Sequence, residues 1–183
     1  MIYISIGHYP ERPGACYESF CEHFEAQQWA GHLVKALGVE NCEICPIGTL
    51  KEKVAYINES ATKDDIAIEI HFNSAKNDAG EHIGRGSECL YHPNSKRGYE
   101  VARALQSALS EVFEPDRGLK KGYYQLNKAK GVDFFLARTI CTSVIIEPEF
   151  IHRKGKIQEN REVACSKIAA SIIRFIEDEK HGQ

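Results

Sequence analysis

The stretch IAIEIHFNSA, residues 66–75, decides how the chain is read. Its first five residues form an apolar, largely β-branched run, which predicts a strand over 66–70. His71 follows that run directly. The pattern recurs at IYISI (2–6), which ends at Gly7 and is followed by His8. It recurs again at TSVIIE (142–147), a strand whose last residue is Glu147. Ligands of open α/β sheets bind beyond the carboxyl ends of the strands. The three runs therefore predict that His8, His71 and Glu147 share one sheet edge.

Between these strands the apolar spacing becomes helical. Glu22, Ala26, Trp29, Ala30, Leu33 and Leu37 lie on one stripe that stops at Gly38. Thr49-Leu50-Lys51-Glu52 has the form of a capping box opening a helix through about Glu59. Asn94 or Ser95 caps a third helix with Val101, Leu105, Ala108, Leu109 and Val112 on its buried side, and a last helix runs from about Gln158 to Glu177. CEICPI (42–47), SECLYH (87–92) and YYQL (123–126) read as further strands, and DFFLAR (133–138) as a short helix or a strand. HYPERPGACYESF (8–20) and residues 74–86 read as loops. This alternation predicts an α/β three-layer sandwich: a mostly parallel central sheet of about six strands with helices on both faces.

Composition sets the outer limits. A chain of 183 residues fits one domain over 1–183, and 43% apolar residues suffice for a core. The net charge of −3 argues against nucleic acid as a partner. No run approaches the roughly 20 apolar residues needed to span a bilayer. The first apolar run lacks a preceding Lys or Arg and is too short for a signal-peptide core, so the expectation is cytosolic synthesis without a cleaved signal. Seven cysteines, an odd number, then suggest reduced thiols. Cys42 and Cys45 form a C-x-x-C, but a zinc knuckle needs a second such pair and none exists. The pair reads as two small apolar residues of a buried strand, against a thiol-redox reading.

Two imidazoles and a carboxylate at strand ends are ingredients of a catalytic Zn²⁺ site, which uses three protein ligands and leaves one position for water. On residue type alone all three groups qualify as ligands. Hydrolysis also needs a base, and the strand ends do not divide these roles.

Six motifs together resemble the zinc-dependent N-acetylmuramoyl-L-alanine amidases, the family of bacterial cell-wall amidases and phage endolysins. They are His8 in GHYPERPGA, an acid opening the first helix, HFNSA (71–75), GSECLY (86–91), RGLKK (117–121) and VIIEPEF (144–150). The resemblance spans nearly the whole chain. It implies Zn²⁺ held by His8, Glu22 and His71, Glu147 as catalytic base, and cleavage of the amide between N-acetylmuramic acid and L-alanine. Glu18 and Glu25 compete for the helix position. From Glu22, offsets of 4, 7, 8 and 11 give Ala26, Trp29, Ala30 and Leu33; from Glu25 they give Trp29, His32, Leu33 and Ala36, placing a histidine on the buried stripe. The segment YPERP departs from the Gly-rich loop usual in the family.

The implied partner is peptidoglycan, with no nucleic acid and no membrane segment. Arg117 to Lys130 carries five basic residues and no acid. Lys120, Lys121 and Tyr124 there, with Asn73, are candidate substrate contacts meeting stem-peptide carboxylates or anionic wall polymers; the plainer alternative is a solvated loop. Glu88 reads as a partner behind the site or as a surface carboxylate. The expected setting is a phage or prophage lysin acting on the wall after release, or secretion by another route. Two rivals remain: a carboxypeptidase-like zinc enzyme, for which His8 and Glu11 form an H-x-x-E, and a non-catalytic wall-binding module of the same fold.

Overall fold

The computed structural model describes residues 1–182. In chain order the elements are β1 (Ile2–Ile6), β2 (Cys16–Tyr17), β3 (Phe20–Cys21), α1 (Glu22–Leu37), β4 (Cys42–Ile44), α2 (Leu50–Ser60), β5 (Ile66–Ile70), β6 (Ser87–Tyr91), α3 (Lys96–Ser110), β7 (Asp116–Lys121), α4 (Phe134–Arg138), β8 (Thr142–Glu147) and α5 (Lys154–His181). Six strands form one sheet in the order β4-β1-β5-β8-β6-β7. Every neighbouring pair is parallel except β8 with β6. This is the expected three-layer α/β architecture.

The period of two along each strand divides the core. Ile2, Ile4 and Ile6 with Ile66, Ile68 and Ile70 pack beneath residues of α1, α3 and α5, around the fully buried Trp29. Tyr3, Ala67, Leu90 and Ile145 face the other way, against Val54 and Ile57 of α2 and Phe135 and Leu136 of α4. Thr49 and Glu52 close the expected capping box, and the Ser95 hydroxyl caps α3 by accepting from the Gly98 amide at 2.9 Å. No helix among the described residues is long and apolar enough to cross a membrane.

Several expectations need correction. The edge strand lies at Asp116–Lys121, not at 123–126; Tyr124–Leu126 is a 3-10 turn in which Gln125 has φ 51°, a left-handed value that no strand accommodates. The strand from Cys42 stops at Ile44, two residues before Pro46, which has no amide to donate to a ladder. The last helix begins at Lys154, one turn earlier than expected. The expected loop after His8 contains a two-stranded hairpin, β2 with β3, closed by a Cys16–Cys21 disulfide, so the thiols are not all reduced. Cys42 and Cys45 fall into the two separate cores, on opposite sides of the sheet. Burial also pushes the Cys45 thiol up to about 12. Neither position suits a dithiol redox pair.

Candidate metal centre

The site is built where β1 and β5 end in step. The Gly7 amide donates to the Ile70 carbonyl at 3.0 Å, and the His71 amide donates to Ile146 at 2.9 Å. Both histidines thus leave the sheet at the carboxyl edge that the strand pattern predicts. Two close approaches make room for their rings. A side chain at Gly7 would lie 3.0 Å from the His71 ring, and one at Gly14 would come within 2.4 Å of the His8 ring. His8 itself takes a left-handed φ of 58°. The imidazoles meet edge to face, 4.8 Å between centroids.

The carboxylate comes from the opening residue of α1. Hairpin β2–β3 returns the chain so that the Glu22 amide donates to the Ala15 carbonyl at 3.0 Å, and the Ala15 amide donates to Glu22 Oε1 at 2.7 Å. The disulfide joins the next residues outward, Cys16 and Cys21. Glu22 Oε2 then points between the rings, 3.1 Å from His8 Nε2 and 3.3 Å from His71 Nδ1. The other candidate acids go elsewhere. Glu25 is buried against Arg161 in two bonds of 2.7 Å, and Glu18 is exposed on the hairpin turn beside Lys154. Glu11, needed by the carboxypeptidase-like reading, is exposed in the turn between Tyr9 and Arg12 and does not line the cleft.

One donor atom from each of His8, Glu22 and His71 lies within 4.8 Å of the others. Ligands about 2.0–2.1 Å from a tetrahedral zinc stand roughly 3.3 Å apart, close to the two spacings found here. His71 also has the arrangement usual for a metal-bound imidazole: its far nitrogen, Nε2, lies 3.3 Å from the Glu69 carboxylate. The donor set therefore fits a zinc ion. Burial alone would raise the Glu22 carboxyl, but hydrogen bonds from His71 and His8 outweigh it and hold it at about 2. Burial pulls the His71 imidazole down, and Glu22 and Glu69 more than reverse this, raising it well above its usual value.

Glu147 ends β8 in the same cleft of about 510 Å³ as the three donors. Its neighbour across the antiparallel pair is Glu88. Burial pushes the Glu147 carboxyl up to about 7, opposed by His71 and Arg117 and reinforced by Glu88 and Glu22. Glu88 is itself buried and held by two partners: Asn73 Nδ2 donates to it at 2.6 Å and Arg117 Nε at 3.0 Å. Arg117 also lies over the Phe150 ring, 5.0 Å from its centroid.

Among the candidate substrate contacts, Asn73 and Tyr124 line the cleft, while Lys120 and Lys121 are not among its lining residues. The Lys120 ammonium turns back to the Arg117 carbonyl at 2.6 Å and lies 4.0 Å from Glu88; Lys121 is exposed at the end of edge strand β7. Tyr123, Gln125 and Asp133 join the cleft wall. The sequence reading missed Glu69, Lys53, Arg117 and the two ring-facing glycines. Glu69 carried a signal, as the one charged residue inside an apolar run and two positions before His71, on the same face.

Comparison with known proteins identifies the family. The model of the N-acetylmuramoyl-L-alanine amidase family matches residues 2–178. No curated protein matches the chain in sequence. An N-acetylmuramoyl-L-alanine amidase from Clostridium difficile superposes with a TM-score of 0.78 at 18% identity, covering 96% of each chain. The catalytic domain of an endolysin targeting Clostridia difficile gives 0.69 at 24% identity, covering 94% of this chain and 96% of that one. The amidase Ami1 from Mycobacterium smegmatis gives 0.72 at 16% identity, covering 97% and 96%. At such identities these likenesses speak for the fold, and the family match carries the activity. The chain belongs to the N-acetylmuramoyl-L-alanine amidases, enzymes that hydrolyse an amide bond of peptidoglycan.

Proposed function

We propose that the chain performs this hydrolysis with a zinc ion held by His8, Glu22 and His71 and with Glu147 as the base. The observation that carries the reading is the convergence of three donor atoms within 4.8 Å, in the same cleft as a carboxyl raised to about 7. Zinc bound there supplies Lewis acidity: it polarises the scissile carbonyl and acidifies water towards neutral pH.

The remaining work falls to the chain's own groups. The Glu147 carboxylate takes a proton from the attacking water and hands it to the departing amide nitrogen, the L-alanine amine. A carboxyl raised by burial suits both transfers better than an ordinary one, since it takes up the proton more readily and still gives it to the leaving amine. Burial keeps the Glu147 carboxyl high, and Glu88, fixed beside it by Asn73 and Arg117, adds to the effect. Tyr124, which is 53% exposed on the cleft wall, offers a face to the glycan or stem peptide. Lys120 and Lys121 lie further out, where they attract wall anions without touching the reacting bond.

We place the action at the cell wall, outside the cytoplasm, after release or secretion. The Cys16–Cys21 bond supports this setting, since disulfides persist in oxidising surroundings. Product analysis on purified walls tests the reading. New L-alanine amino termini with intact glycan strands are expected. Release of amino acids from the carboxyl ends of stem peptides would instead make the enzyme a peptidase, and binding without products a wall-binding module.

A further inference from the structure

Behind the two imidazoles lie a buried lysine and a buried glutamate that the hydrolysis does not use. Lys53 of α2 and Glu69 of β5 are each 2% exposed. Burying ions in a core is costly, and such groups seldom add net stability. Their contacts all go to the metal-bearing segments. The Lys53 ammonium donates to the carbonyl oxygens of Ile6 and His8, the latter at 2.7 Å. Glu69 accepts from the Ser5 hydroxyl at 3.0 Å and lies 3.3 Å from His71 Nε2. The two meet on adjacent residues of β1, Glu69 at the Ser5 hydroxyl and Lys53 at the Ile6 carbonyl.

Each contact fixes a different variable. A non-glycine residue in the left-handed region keeps that conformation only where its surroundings hold it, and His8 has φ 58°. Lys53 grips both ends of that turn, the carbonyls of residues 6 and 8. Glu69 stands ready to accept the Nε2 proton of His71, so that with a metal bound the Nδ1 nitrogen beside Glu22 would be the one left to ligate it. One residue thus sets the path of the first ligand and the other the tautomer and ring orientation of the second.

We propose that Lys53 and Glu69 are positioning residues that act as one buried unit, holding His8 and His71 in metal-ready geometry and so setting how tightly zinc is retained. The proposal rests on the zinc reading above. The test is the zinc dissociation constant of the full chain, measured by chelator competition, with circular dichroism confirming the fold of each variant. Glu69→Gln and Lys53→Met should each weaken zinc binding about ten- to a hundredfold. The double variant should lose less than the product of the two, because the members of one unit do not add. Lys53→Gln replaces Lys53→Met if the latter does not fold, and Ser5→Ala should give a smaller loss of a few-fold without removing a charge. A merely structural role predicts a lower melting temperature of the metal-free form with zinc affinity unchanged. Folded variants within threefold of the parent affinity overturn the proposal. So does loss in Glu69→Gln alone, which would separate the two residues. A parent chain that binds no zinc would instead remove the zinc reading itself, a distinguishable failure.

Discussion

On one side of the cleft, His8, Glu22 and His71 stand at the ends of β1, α1 and β5; backbone bonds tie Glu22 to the hairpin and His71 to the sheet, and the Lys53 ammonium holds the His8 carbonyl. On the other side, Tyr123, Tyr124 and Gln125 come from the irregular chain between β7 and α4, with Tyr124 half exposed and Lys130 5.9 Å from its ring centroid. The first wall holds its polar atoms through bonds to regular elements. The second presents aromatic and basic side chains on an irregular segment outside the sheet. Bond breaking needs the first kind of wall, and gripping a polymer of variable sequence is served by the second.

This contrast predicts a steep gradient of mutational effects. His71→Ala should have the largest effect, because the ion and the activity leave together; bound zinc and rate measured on the same sample check this. Glu147→Ala should keep zinc and fold and lose at least about a hundredfold in rate. Retained activity there would remove Glu147 from its role and leave the rigid wall as a metal site alone.

The pH profile tests the same wall without removing the base. Burial keeps the Glu147 carboxyl protonated up to about 7, against an ordinary value of 4.5. As the proposed base, Glu147 works as the carboxylate, so the rate per substrate encounter should fall on the acid side as it takes up a proton, with the limb shifted below the metal-free value by the charge of a bound cation. Glu88→Gln takes away a neighbouring negative charge and should move that acid limb to lower pH. A limb that stays in place would exclude Glu88 from setting it.

The opposite wall should respond more weakly. Tyr124→Ala is expected to raise KM a few-fold with kcat nearly unchanged, which a dilution series of soluble muropeptides would read. Smallest of all, Lys120→Glu with Lys121→Glu should weaken wall binding in low salt and have no effect in high salt, where exposed charges are screened. A loss in kcat from either change would erase the distinction between the walls.

The same division governs what was legible in the sequence. Buried strands announce themselves by apolar runs, so 2–6, 66–70 and 142–147 and the polar residues at their ends were readable, as were the sheet's layers and its mostly parallel order. Glu22 was harder. Spacing along the helix stripe narrows three acids, but the hairpin that turns Glu22 inward is stapled by Cys16 and Cys21, a pairing that cysteine count and compartment argued against. Edge strand β7 was displaced in the reading because DRGLKK has few apolar residues; an edge strand half open to solvent does not need them. Lys53 escaped notice because a lysine on an amphipathic helix reads as solvated, and only the fold reveals that its ammonium reaches the carbonyls of Ile6 and His8.

Stepwise removal of zinc, with metal content and amidase rate followed on one preparation, decides whether the rigid wall is a metal centre. Rate and bound zinc should fall in proportion, and restoring zinc should restore the rate. A metal-stripped protein that still releases L-alanine amino termini from purified walls at full speed would contradict the assignment of His8, Glu22 and His71.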